Sequence, residues 1–293
     1  MKRLLLAFAI VVILSAPAYA RLNIVATLPW IGSLAHELGG DQVGVKILVK
    51  PNQDPHQIEA KPSMILAARG ADILLYNGLD LEAGYLPILI ESSRNPRIQP
   101  GRPGNLDCSQ FIRAIEKLET TDRSMGDVHP LGNPHYHLSA RNIALVARGL
   151  TRMLERLDPG QASFYQANLA SFEARLIDKQ KQWVQSHLKG KKYIAYHKYF
   201  EYLALEFDFQ IIGYIEEKPG IGASAGHVGK LIDTMKRLHP DGILTTSYQN
   251  AREVASLSQK TGIRRVVVPH DVGCVPEAYD WMSLMDSILK TLR

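Results

Sequence analysis

The sequence predicts an α/β protein of two lobes, each with a parallel sheet, joined by one long rigid helix, with a metal site in the cleft between the lobes. Three observations carry this reading. Strand-like apolar runs alternate with helical patterns in both halves of the chain. Such alternation builds parallel sheets covered by helices on both faces. Between the two alternating regions stands a helical pattern with no internal proline or glycine, from Gln161 to Leu188. Finally, four short segments fall where a strand or turn passes into the next element. They are Asp54-Pro55-His56, Asn133-Pro134-His135, Tyr196-His197-Lys198 and Pro269-His270-Asp271. Junctions of this kind are where α/β proteins bind ligands.

The elements follow in order. Lys2 and Arg3 precede an unbroken apolar run, Leu4 to Leu14, and then Ser15-Ala16-Pro17-Ala18-Tyr19-Ala20. That is the pattern of a secretory leader cut near Ala20. The run is too short to span a hydrocarbon layer of about 30 Å. No cysteine follows it to carry a lipid. A soluble periplasmic protein starting near Arg21 is expected. Residues 22–28 read as a strand, then a helix runs through Leu38. A strand covers 43–49, a helix Pro62 to Arg69, and a buried strand 72–76. From Ile98 to Asn133, proline, glycine and mixed charge predict a long surface segment with one short helix. A helix spans Ser139 to Leu157, with Ser139 as N-cap. After the break Asp158-Pro159-Gly160 comes the long pattern, about 42 Å of helix at about 1.5 Å per residue. Gly190 ends it.

The alternation then restarts. Strands are predicted at 193–196, 209–215, 242–248 and 264–268. Helices are predicted at 199–207, 224–238, 250–260 and 277–292. The expected division is a leader at 1–20, a first lobe at 21–158, the linking helix at 159–189 and a second lobe at 190–293. A single helical link resists bending, so only a modest lobe motion is expected.

Composition narrows the function. The formal charge is +5, and removal of the leader lowers it by two. So mild an excess, without a Lys/Arg run, argues against nucleic-acid binding. Cys108 and Cys274 could pair in an oxidising compartment and would then bridge the two halves. Neither lies in a CxxC, so a thiolate metal site is disfavoured. Three imidazoles and one carboxylate would instead make a closed four-coordinate site of the kind Zn²⁺ favours.

These residues carry a resemblance. Asp54-Pro55-His56-Gln57-Ile58-Glu59 with Pro62-Ser63, Gly132-Asn133-Pro134-His135-Tyr136-His137-Leu138-Ser139, Tyr196-His197-Lys198-Tyr199-Phe200, and Asp271 with Tyr279 and Met282 occur in this order. Together they resemble the zinc/manganese-type (cluster A-I) periplasmic metal-binding proteins of ABC importers, across essentially the whole mature chain. The resemblance implies metal ligation by His56, His135, His197 and Asp271. It implies a monomer that delivers a divalent metal to a permease in the inner membrane. In this family the third ligand is His or Glu. His tends to accompany zinc and Glu manganese, so His197 implies Zn²⁺, with Mn²⁺ or iron the alternative.

Two departures stand out. Zinc-specific relatives often carry a long loop rich in His, Asp and Glu before the second ligand, whereas His129 is the only histidine in residues 105–133. The residue two after His135 is often Trp in relatives and is His137 here. Residues i and i+2 of an extended segment share a side, so His137 is a competing ligand. Asp54 and Glu59 are candidates to orient His56, since ligating imidazoles usually donate their other N–H.

Two other function classes fit the pattern less well. A secreted zinc hydrolase needs an open metal position and a general base. Four protein ligands and the lack of HExxH argue against it. A surface adhesin on the same fold would need an anchor.

Overall fold

The computed structural model describes residues 21–118, 129–218 and 220–293. The expected leader lies outside them, as does part of the long segment before His135. The first lobe contains β1 (Leu22–Ala26), α1 (Pro29–Gly39), β2 (Val43–Ile47), α2 (Pro62–Arg69), β3 (Ile73–Tyr76), α3 (Leu86–Ser93) and β4 (Asn105–Asp107). Its sheet has the order β2-β1-β3-β4, with every pair parallel. Proline occupies the start of α1, α2 and α3, where its missing N–H removes no helical bond. Gly78 (φ 80°) turns the chain after β3, and a Cβ there would lie 2.0 Å from Asp107 Oδ1.

The rest comprises α4 (Ala140–Leu157), α5 (Ala162–Trp183), β5 (Lys192–Ala195), α6 (Glu201–Phe207), β6 (Gln210–Tyr214), α7 (Ala225–Leu238), β7 (Gly242–Thr245), α8 (Ala251–Thr261), β8 (Arg265–Val267) and α9 (Trp281–Leu292). The second sheet runs β6-β5-β7-β8, again all parallel. Side chains of Ser139, Ser224, Asn250 and Asp280 cap α4, α7, α8 and α9. Each accepts a hydrogen bond from a first-turn amide that would otherwise lack a partner.

Two points differ from the sequence reading, and a third answers a question that it leaves open. The linking helix α5 has 22 residues, about 33 Å at about 1.5 Å per residue. It is succeeded by a 3₁₀ turn, Val184–Ser186, and His187 in the left-handed region (φ 57°). Trp183 and Leu188 are both buried. Five residues apart on a straight helix they would point about 140° away from each other, so the chain must turn to bury both. Strand β4 and helix α3 are elements the sequence reading does not contain. β4 has three residues, too few to show a period. Cys108 and Cys274 are free thiols.

The core explains the shape. One continuous apolar cluster runs from Ile24, Ile73 and Leu75 of the first sheet through Ile143, Leu150 and Phe172 of α4 and α5. It continues into Tyr193, Ala195, Leu244 and the α9 residues Trp281 and Met285. The opposite face of the second sheet, Ile194, Tyr196 and Ile243, forms a separate cluster with Leu231, Met235 and Leu257. The alternation along β5 follows from the two-residue period of a strand. The lobes therefore share a core.

Candidate metal centre

His56, His135 and His197 come together from three distant segments. One possible ligand atom from each lies within 4.8 Å of the others, and among the described residues this is the group of that kind. Ring centroids are 5.2 Å apart for His56–His135, 5.3 Å for His56–His197 and 5.6 Å for His135–His197. A tetrahedral ion with Zn–N bonds of about 2.0–2.1 Å would hold its ligand atoms roughly 3.4 Å apart. A small convergence of side chains reaches that geometry.

Each imidazole is set by its local backbone. His56 lies on a 3₁₀ turn capped by Asp54, whose Oδ1 accepts from the His56 N–H at 3.0 Å and stands 2.8 Å from His56 Nδ1. His135 precedes the 3₁₀ turn Tyr136–Leu138, and its N–H donates to Asn133 Oδ1 at 3.0 Å. His197 follows β5, with Nδ1 2.6 Å from Glu216 Oε2. Carboxylates thus hold Nδ1 of two of the three rings and direct Nε2 inward. Among the described residues, Nε2 of His56 and of His135 are buried without a hydrogen-bond partner. Buried unpaired nitrogens are costly, and a bound cation would satisfy them. Burial, then the neighbouring His56 and His197, push His135 well below the ordinary histidine range. It stays neutral, the form that ligates metals.

A cleft of about 180 Å³ opens beside the rings. Asp54, His56, Tyr196, His197, Glu216 and Tyr248 line it, and among the described residues no Lys or Arg does. The two carboxylates that line it favour cations.

The other expected residues are placed as follows. Asp271 is buried, and its Oδ1 accepts from Val272 N at 2.7 Å. Burial pushes its carboxyl up to about 8 despite the backbone amides of Val272 and Trp30. It is not part of the three-histidine group. The adjacent His270 carbonyl accepts from Tyr199 Oη at 2.6 Å, and the Tyr199 ring lies 4.3 Å from that of His135. His137 is a bridge within the structure. Its ring stacks on Trp30, its Nε2 lies 3.1 Å from Tyr199 Oη, and its carbonyl accepts from Trp281 Nε1 at 2.8 Å. Glu59 is exposed, so of the two acids Asp54 is the one that touches His56.

Two residues gain weight from the structure. Glu216 carries no sequence signal. It reaches His197 because β6 lies beside β5, and Glu216 N donates to Tyr196 O at 3.0 Å. His129 lies against His56 at 5.3 Å between ring centroids. Burial, then His56 and His197, lower it to about 3. The tight turn from His129 to Gly132, closed by Gly132 N donating to His129 O, returns it towards the site.

Comparison with known proteins identifies the family. The family model of the periplasmic zinc-uptake complex component A matches residues 24–293. The iron ABC transporter substrate-binding lipoprotein MtsA of Streptococcus pyogenes is 24% identical, over 83% of this chain and 77% of its own. The manganese counterpart PsaA of Streptococcus mitis is 21% identical, over 83% and 78%. A crystal structure of ZnuA superposes with a TM-score of 0.77 at 26% identity, covering 93% of this chain and 98% of that one. FpvC from Pseudomonas aeruginosa, solved with Mn²⁺, gives 0.74 at 21% identity, covering 93% and 98%. The chain belongs to the family of the periplasmic zinc-uptake component A, whose members are substrate-binding proteins of metal ABC transporters and not enzymes.

Proposed function

We propose that this chain captures Zn²⁺ in the periplasm, after loss of a leader near Ala20, and delivers it to an ABC permease. His56, His135 and His197 supply three imidazoles and Asp271 the fourth ligand. The observation that supports this best is the buried, unpaired Nε2 of His56 and His135 beside His197. Imidazole suits Zn²⁺, and affinity for N/O sites generally rises from Mn²⁺ to Zn²⁺. Relatives named for iron and manganese make those metals the competing cargo.

Competition calorimetry with Zn²⁺ and Mn²⁺ tests the choice. Zn²⁺ should bind at least tenfold more tightly, and His197→Glu should narrow the gap. Tighter Mn²⁺ binding by the native protein would overturn the zinc reading.

A second reading of the fourth position rests on His129, whose ring already faces His56. Asp271→Ala and His129→Ala separate the two readings. The true fourth ligand, once removed, should weaken zinc binding at least tenfold, and the other should leave it within about twofold.

A further inference from the structure

We propose that Asn133 is the positioning residue that sets the spacing between His135 and His197. The inference rests on the three-histidine site being the cargo site. Asn133 is 5% exposed, and its side chain works in two directions. Its Oδ1 accepts from the N–H of His135 at 3.0 Å, which shapes the turn presenting that ring. Its Nδ2 donates to the carbonyl of Lys198, the residue after His197, at 3.1 Å. The same nitrogen meets Glu116 Oε2 at 3.0 Å and Glu201 Oε2 at 3.3 Å. One amide therefore ties the backbone of one proposed ligand to the backbone beside another, across the join between the lobes.

The rest of Asn133 is fixed as firmly. Its N–H donates to Ile115 O at 2.9 Å, and its carbonyl accepts from Tyr202 Oη at 2.9 Å. Neither carboxylate is free to swing away. Glu116 Oε1 holds Lys198 Nζ at 2.6 Å, and Glu201 Oε1 accepts from Tyr214 Oη at 2.7 Å. An aspartate would cap the His135 turn equally well, because that task needs only an acceptor oxygen. It would fail at the second task. Burial raises the Glu201 carboxyl to about 7, so in assays at pH 8 the aspartate's other oxygen would face two carboxylates and a carbonyl, all acceptors, in a buried place where unmatched polar contacts cost most. The amide is needed for the join with Lys198.

Asn133→Asp tests this with almost no change of volume. Zinc affinity is measured by competition with a chromophoric chelator. The visible spectrum of bound Co²⁺ reports ligand geometry independently, and folding is checked by circular dichroism. Expected are a tenfold or greater loss of zinc affinity and shifted Co²⁺ bands in a folded variant. Native affinity and an unchanged Co²⁺ spectrum in folded Asn133→Asp would overturn the role, even if its melting temperature fell. If that variant does not fold, Asn133→Ser decides by the same two readouts. Serine keeps an oxygen for the turn but is too short to reach Lys198. His135→Ala is the separate control. Retention of affinity there would overturn the site itself rather than the part given to Asn133.

Discussion

Glu216 Oε2 stands 2.6 Å from Nδ1 of His197, on a neighbouring strand connection and 19 residues away in sequence. Asp54 has the same relation to His56 at 2.8 Å from within its own turn. One carboxylate is local and the other depends on strand pairing, yet both fix the same tautomer with Nε2 turned inward.

Removing either carboxylate should therefore weaken metal binding without removing a ligand. Glu216→Ala and Asp54→Ala are each expected to lower zinc affinity about 10–100-fold, measured by chelator competition. Native affinity in both variants would mean that the rings are held by packing alone.

Glu82 should make stability depend on pH. It is fully buried, with Thr27 Oγ1 and the amides of Asn77 and Gly78 donating to it. Burial raises its carboxyl from 4.5 to about 7 despite those bonds. Between those values the folded chain keeps a proton that the unfolded chain has lost. Its contribution therefore favours folding at low pH, declines as pH rises from about 4.5 to about 7, and is level above. The change is of order 3 kcal/mol. Denaturant titrations between pH 5 and 8 should show this slope in the native protein and a shallower one in Glu82→Gln. Equal slopes would assign the dependence elsewhere.

Tyr199 should matter for stability through its hydroxyl. The hydroxyl donates to His270 O at 2.6 Å and meets His137 Nε2 at 3.1 Å, fully inside the protein. Tyr199→Phe keeps the ring against His135 and removes those bonds. A loss of about 1–3 kcal/mol is expected in urea unfolding. A variant as stable as the native chain would show that the hydroxyl is dispensable.

Much of this architecture was legible in the chain. Pro62 opens a helix that closes at Arg69, and both ends match the reading because proline and the following Gly70 mark them locally. Ser139 caps α4 as its position before an apolar pattern implies. The three histidines could be singled out because each lies in a short segment at an element's end. What stayed hidden depends on contacts across space. Glu216 reaches His197 through strand pairing, β4 is too short for a pattern, and α5 stops early because Trp183 and Leu188 must face one core. The nearness of His129 to His56 likewise follows from how a turn folds back, which no local spacing records.

The core shared by both lobes has a consequence for delivery. A receptor built as two separate shells can announce its cargo by snapping shut. Here Ile24, Phe172, Tyr193 and Trp281 belong to one packed interior, and interiors of that density do not shear cheaply. On the proposed function, a change on binding cargo would then fall on the rim of the cleft, in the turns that carry His56 and the stretch around Glu216. On that same proposal, a permease would read a local contour, not a change of posture.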